Sequence, residues 1–151
     1  MLFKEYSHQY WMAQAIDLAK KTDKEVPISA LIVKENKLIS ASSNKMEELN
    51  DATAHAEILV IRDASNKLGD WRLNDCVLYT TLEPCSMCAG AIINSRISKL
   101  VFGAYDLNAG ACGSAINLFH SLDKINQIEM LGGILELEAS ELLKSFFRTT
   151  R

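Results

Sequence analysis

The sequence predicts an α/β protein in which a sheet is covered by helices on both faces. Short apolar segments alternate with segments of helical periodicity, and an apolar segment near the middle runs straight into a helix. Because strands between helices are typical of parallel sheets, we expect the later strands to be parallel. The chain length suits one domain over residues 1–151, and 48% hydrophobic residues are enough for a core.

The first half of the chain predicts a helix, a hairpin and a second helix. The first helix is marked by apolar residues at helical spacing: Met12, Ala15, Ile16 and Ala19. Pro27 and the β-rich residues 28–33 end it, and the polar residues 34–37 form a turn into a second strand over residues 38–39. After a loop over residues 44–53, the next helix carries one apolar face: Ala54, Ile58 and Ile61.

The second half predicts three strands and two helices. Residues 76–81 form a buried strand, which runs into Pro84 and a helix over residues 85–94. Residues 99–103 and 127–131 form two further strands. The last helix is amphipathic, with four apolar residues on one face: Ala139, Leu142, Leu143 and Phe146.

Composition narrows the class of protein. No apolar run approaches the roughly 18–20 residues that span a bilayer, and the first residues lack a signal-peptide pattern, so we expect a cytoplasmic protein without a membrane partner. Four cysteines in such a chain do not predict disulfides, and Cys76 and Cys112 are expected to be buried thiols. The net charge of −3 means that any RNA contact requires a local basic patch.

Two short motifs have the residue types of a catalytic zinc site. His55 begins one predicted helix, and Cys85 and Cys88 share one face in the first turn of another. A helix N-terminus lowers the pKa of a thiol and favours the thiolate. Two thiolates and one imidazole leave a fourth position for water, which is typical of catalytic zinc. We therefore expect one Zn²⁺ per subunit, bound by His55, Cys85 and Cys88.

Glu57 is the predicted proton carrier of this site. Residues two apart inside a helix point about 200° apart, so His55 and Glu57 share a site only at the open end of the first turn. Zinc lowers the pKa of a bound water toward about 7, and Glu57 can pass protons to a ring nitrogen and then to a leaving amine. A redox dithiol would leave His55 and Glu57 unexplained, and a zinc ribbon would need a second pair of cysteines.

The residues around these motifs resemble the bacterial tRNA-specific adenosine deaminases. His-x-Glu followed by Pro-Cys-x-x-Cys is the signature of zinc nucleobase deaminases. The later stretches narrow the resemblance: Ser95-Arg96-Ile97, Val101-Phe102-Gly103-Ala104 and Phe146-Phe147-Arg148. The resemblance implies a three-layer α/β/α, cytidine-deaminase-like fold around a five-stranded mixed sheet. It also implies a homodimer that converts adenosine to inosine at the wobble position, within the anticodon stem-loop of a tRNA.

The same resemblance implies substrate contacts outside the metal site. Asn44 is expected to hydrogen-bond the flipped-out nucleotide, with Ala56 also in the substrate-binding set, and Asp106 to contact the sugar of the neighbouring nucleotide. Phe147 and Arg148 are expected to border the RNA. Four positions depart from the family pattern without touching the zinc chemistry: Ser29, Ala52, Tyr105 and Asn108. At positions 105 and 108, the lack of basic residues weakens the expected attraction for RNA.

Two other functions stay open at this point. A zinc deaminase of free bases or nucleosides, such as guanine or cytosine, would share the metal site and differ at its rim. A catalytically silent zinc module that binds RNA or a partner protein would have no need for Glu57, so the presence of this residue argues against it. Activity on a free nucleoside would favour the first of these functions.

Overall fold

Five strands form one mixed sheet in the computed structural model, which describes residues 5–122 and 127–149. The strands are β1 (Ser29–Lys34), β2 (Lys37–Ser43), β3 (Cys76–Leu82), β4 (Lys99–Ala104) and β5 (Glu129–Leu131). Their order across the sheet is β2-β1-β3-β4-β5. Strand β1 is antiparallel to β2 and β3, whereas β3, β4 and β5 are parallel, which confirms the predicted mixed sheet and its parallel later strands.

Helices cover both faces of this sheet. Within the described residues they are α1 (His8–Ala19), α2 (Met46–Leu49), α3 (Ala56–Leu68), α4 (Ser86–Asn94), α5 (Leu118–Leu122) and α6 (Glu136–Thr149). Helices α1 and α6 pack on one face and α3 and α4 on the other, so the expected three layers are confirmed. Helix α2 lies inside the predicted loop over residues 44–53. The sequence did not predict this helix, because four residues are too few to show helical periodicity. No described helix has both the length and the apolar composition needed to cross a membrane.

Neighbouring residues of the central strands point into two separate cores. On one face, side chains of β1, β3 and β4 pack with α1 and α6: Leu31, Val33, Tyr79 and Val101. On the other face, the alternate residues pack with α3 and α4: Ala30, Ile32, Leu78 and Leu100. Since both faces are covered, these strands are continuously apolar instead of alternating with polar residues.

The buried face of α3 differs from the predicted one. Ala56, Val60 and Ala64 are fully buried, whereas the predicted Ile58 and Ile61 are only half-buried. The physical reason is close packing: the small side chains sit where the helix approaches the sheet, and the larger isoleucines lie at the flanks. The helix is confirmed, and of the predicted residues Ala54 is buried and Ile61 packs against the core. The prediction missed Ala56, Val60 and Ala64 as the fully buried residues of the helix.

The first turns of α3 and α4 meet at one end of the sheet. Helix α4 begins shortly after β3 ends, and the two helices pack against each other on the same face. His55 and Cys85 are the capping residues directly before these helices, and both have extended backbones, with φ/ψ of −71°/150° and −73°/177°. This end lies beyond the carboxyl edge of β3, where open α/β sheets bind their ligands.

Candidate active site

Three predicted metal ligands converge between the first turns of α3 and α4. Nδ1 of His55 lies 3.7 Å from Sγ of Cys85 and 3.5 Å from Sγ of Cys88. All three ligand atoms lie within 4.8 Å of one another. A tetrahedral ion with the usual zinc–sulfur and zinc–nitrogen bond lengths holds its sulfur and nitrogen ligands about 3.6 Å apart. The three side chains therefore fit a metal centre in which Nδ1 is the ligand atom of His55.

The two thiols of this centre differ in acidity. A hydrogen bond from the Cys88 side chain lowers the pKa of the Cys85 thiol to about 5, although burial opposes the shift. The same hydrogen bond, together with burial, raises the pKa of Cys88. Cys85 is thus ready to bind a cation as a thiolate at neutral pH. Cys88 gives up its proton when the cation binds, since a coordinated thiol is deprotonated.

Glu57 lies in the first turn of α3, beside the metal ligands, and is only 4% exposed. It shares the site with His55 because His55 precedes the helix, as the sequence predicted. The hydroxyl of Thr80 donates to Oε1 of Glu57 at 3.4 Å. Burial raises the pKa of Glu57, and a hydrogen bond from Cys88 opposes this shift. A carboxyl group with a raised pKa is suited to accept and return protons near neutral pH.

Asn44 is held against the start of α3 by two hydrogen bonds. The side-chain Oδ1 of Asn44 accepts a hydrogen bond from the backbone N–H of Ala56 at 2.8 Å. The backbone N–H of Asn44 donates to the carbonyl of Ile28 at 2.9 Å. Asn44 is 5% exposed, and the contact with Ala56 fixes the orientation of its carboxamide. The N–H of Ala56 is engaged by Asn44, and its methyl group is fully buried.

A groove of about 1040 Å³ adjoins this end of the sheet, between residues 104–109 and helix α6. Asp106, Phe147 and Arg148 all line the groove, so the structure brings these three predicted residues together. The metal ligands do not line it. The groove reaches the site through Ile28, whose carbonyl accepts the hydrogen bond from Asn44. Metal chemistry and the predicted RNA contacts therefore occupy adjoining parts of the surface.

The groove residues are held by local contacts. Oδ1 of Asp106 accepts from the N–H groups of Asn108 and Ala109, both at 3.1 Å. Phe147 is 52% exposed. The guanidinium of Arg148 contacts the Glu141 carboxylate, and both side chains are well exposed. Asp106 therefore shapes its own loop, and the Arg148 charge is shared with a neighbouring acid.

The positions that depart from the family pattern lie outside the set of candidate metal ligands. Ser29 is fully buried, and its hydroxyl lies 2.6 Å from the hydroxyl of Ser43. Tyr105 packs edge-on against Phe102, with ring centroids 5.2 Å apart. Ala52 is exposed in the turn before His55.

The sequence predicted no role for Glu83, a buried acid near the site. Glu83 is 2% exposed and accepts hydrogen bonds from three residues of the loop that contains Asp106. In the sequence, Glu83 stands out only as an acidic residue between a buried strand and the Pro84 motif. That signal does not reveal the partners, because they lie more than twenty residues away.

Three converging side chains of metal-ligand type beside a buried glutamate are typical of one class of protein, the metal-dependent nucleobase deaminases. The family comparison agrees, because residues 6–151 match the MafB19-like deaminase family.

Individual relatives narrow this class. The tRNA-specific adenosine deaminase of Bacillus subtilis (strain 168) is 43% identical over 145 residues, which cover 95% of this chain and 90% of the relative. A solved structure from a study of A-to-I editing by tRNA:A34 deaminases is 41% identical, with a TM-score of 0.86, and the match covers 90% of this chain and 100% of that one. A guanine deaminase from Nitrosomonas europaea is 26% identical, with a TM-score of 0.81, over 93% of this chain and 84% of that one. The chain belongs to the family of tRNA-specific adenosine deaminases.

Proposed function

We propose that this protein hydrolyses adenosine to inosine at the wobble position of a tRNA anticodon and uses one zinc ion per subunit. The observation that carries the proposal is the convergence of His55, Cys85 and Cys88 beside the buried Glu57. The choice of tRNA as substrate is supported by 43% identity to the Bacillus enzyme, against 26% to the guanine deaminase.

The metal-binding residues have the donor set that zinc prefers. Nδ1 of His55 and the thiolates of Cys85 and Cys88 would hold the ion, and their spacing matches a tetrahedral centre. Zinc bound there would act as a Lewis acid that lowers the pKa of a water molecule toward about 7. The lowered pKa of Cys85 supports its role as a thiolate ligand.

Glu57 moves the protons of the reaction. Hydrolysis breaks the bond between C6 of adenine and its exocyclic nitrogen, forms a bond from C6 to a water oxygen, and releases ammonia. Glu57 accepts a proton from the attacking water and delivers it to the N1 atom of the ring, then passes the proton of the new C6 hydroxyl to the leaving amine, so that ammonia leaves and a C6 carbonyl remains. Its burial, which raises its pKa, favours the protonated form that this delivery needs.

Asn44 and Ala56 act together in orienting the base. Because Oδ1 of Asn44 accepts from the Ala56 N–H, its amide group presents N–H donors to the substrate. Ring nitrogens of a flipped-out purine are acceptors and match these donors. Ala56 thus contributes to substrate binding through Asn44, by holding the carboxamide in one orientation.

The groove residues bind the RNA around the target. Oδ2 of Asp106 accepts no hydrogen bond from the described residues, and this oxygen accepts one from the 2′-hydroxyl of the neighbouring nucleotide. Phe147 offers an exposed ring on which a base can stack. Arg148 contacts a phosphate in competition with Glu141, since an exposed ion pair is weak.

A homodimer in the cytoplasm completes the proposal. Both features are supported by membership of the tRNA-specific adenosine deaminase family. Light scattering of the purified protein measures the oligomeric state directly: twice the mass of the 151-residue chain is expected, and the mass of one chain would contradict the dimer.

The direct test is inosine formation in an arginine tRNA anticodon stem-loop that carries a wobble adenosine. We expect inosine from the zinc-loaded wild type and none from Glu57→Gln, which keeps the size of the side chain and removes the proton carrier. Glu35→Gln is the matched control, because Glu35 is exposed in the β1–β2 turn at the opposite end of the sheet. Bound zinc is measured in all three proteins. Substantial turnover by Glu57→Gln would contradict the mechanism.

Deamination of a free base is the second candidate, supported by the structural similarity to a guanine deaminase. The groove argues against it, because a single base has no use for a long surface beside the site. Guanine, cytidine and adenosine are therefore assayed in parallel with the stem-loop. Ammonia from a free base or nucleoside, with the stem-loop unmodified, would favour this second function.

A further inference from the structure

We infer that Glu83 is the positioning residue that fixes the substrate loop, residues 105–114, relative to the metal-binding helix α4. The inference rests on the proposed function, because it concerns the loop that carries Asp106. Glu83 lies between the end of β3 and Cys85 and is 2% exposed. A carboxylate so deeply buried needs hydrogen-bond donors around it.

The substrate loop supplies these donors from both of its ends. Oε1 of Glu83 accepts from the N–H of Asp106 at 3.1 Å and from the hydroxyl of Ser114. Oε2 accepts from the N–H of Cys112 at 3.0 Å and from the N–H of Ser114 at 3.1 Å. One side chain therefore holds the beginning and the end of the loop at the same point.

The loop also packs directly on the carboxylate. A β-carbon added at Gly110 would lie 2.4 Å from Cδ of Glu83 and 2.5 Å from the carbonyl oxygen of Asp106. Ala111 donates its N–H to the carbonyl of Pro84 at 2.8 Å, so the loop follows the chain toward α4. Only glycine at position 110 permits this close approach.

These contacts link the metal centre to the RNA groove. Glu83 lies two residues before the metal ligand Cys85, and it binds the N–H of Asp106, which lines the groove. All its partners in the loop are donors, so a carboxylate satisfies them, whereas an amide would turn an NH₂ group toward them. Glu83 itself does not line the groove and is not one of the candidate metal ligands. It acts through the position of Asp106.

Glu83→Gln tests this role, with Glu35→Gln as the matched control. We expect unchanged zinc content and a KM for the anticodon stem-loop that rises about tenfold, with a smaller change in kcat, because a displaced binding group costs affinity and orientation. Amide hydrogen exchange should accelerate at Asp106, Cys112 and Ser114, and stay unchanged in β1. Wild-type KM and wild-type exchange rates in Glu83→Gln would overturn the inference.

Gly110→Ala perturbs the same contact from the side of the loop. If both substitutions act through one contact, the double variant will be no worse than the more severe single variant, whereas additive losses would refute the shared contact. If Glu83→Gln does not fold, the same KM and hydrogen-exchange measurements on Gly110→Ala alone test the contact. If the wild type leaves the stem-loop unmodified, the proposed function fails, while hydrogen exchange still decides whether Glu83 holds the loop.

Discussion

Substitutions of Asp106 can separate its contacts within the loop from its proposed contact with the RNA sugar. Oδ1 accepts from the N–H groups of Asn108 and Ala109 and so shapes the loop. We propose that Oδ2 accepts from a ribose 2′-hydroxyl. Asp106→Asn keeps an oxygen for the loop contacts and places an NH₂ group where Oδ2 was. Asp106→Ala removes both functions.

The magnitude follows from the charge of the acceptor. A hydrogen bond to a charged group contributes about 1.5–3 kcal/mol, which corresponds to about ten- to a hundredfold in kcat/KM. Wild type should therefore lose about this factor when the neighbouring nucleotide carries a 2′-deoxyribose in place of ribose. Asp106→Asn should process the two stem-loops at similar rates, close to that of wild type on the deoxy substrate.

The assay is single-turnover inosine formation on the two matched stem-loops, with thermal unfolding to show that the variant is folded. A wild type indifferent to the 2′-hydroxyl would refute the assigned contact. An Asp106→Asn variant that still discriminates as strongly as wild type would show that another group reads the sugar. Asp106→Ala should be worse than Asp106→Asn on both substrates, since it also frees the loop.

Cys88→Ser should lose zinc and all turnover, because Cys88 is one of the three proposed ligands. Cys76→Ser changes another fully buried thiol and should retain about one zinc per chain by elemental analysis. Equal zinc content in the two variants would contradict the assigned ligands. Tyr79→Phe removes a hydroxyl that lies 2.8 Å from Nδ1 of His8, so urea unfolding at pH 8 should show a loss of about 1 kcal/mol. Burial raises the pKa of Tyr79 to about 12 from an ordinary value near 10, so the folded state holds this proton more tightly and wild-type stability should fall between pH 10 and 12. The Phe variant should lack that part of the decline, and an identical pH dependence in both proteins would contradict it.

The metal site could be predicted from sequence because its chemistry restricts residue types at short spacing. Cys85 and Cys88 lie within one helical turn, and His55 and Glu57 lie within two residues of each other. The covered sheet and its parallel later strands followed from apolar strands and helical periodicity for the same reason, since both are local patterns. The five-stranded mixed sheet was implied by the family resemblance. The first turn of α3 was also predictable, because only a capping His55 lets Glu57 share its site.

Long-range contacts set the limit of that prediction. Glu83 binds partners 23 to 31 residues further along the chain, and no local pattern announces them. The predicted face of α3 missed Ala56 and Ala64, because hydrophobicity favours Ile58 while close packing against the sheet favours small side chains. In both cases the deciding quantity is the distance between elements, which appears only when the chain is folded.

The candidate metal ligands and the groove occupy separate parts of the structure, so we expect substitutions in the groove to leave the proposed chemistry intact. The ligands and Glu57 lie at the starts of two helices packed on the sheet, so their geometry is set by the core. Tyr105 and Asn108 lie on the substrate loop, which meets that core through Glu83. In the proposed function, changes on the loop alter how RNA is held, while the proposed proton transfers depend on Glu57. From the same separation we expect substitutions on the loop to change mainly KM and substitutions of Glu57 to change mainly kcat.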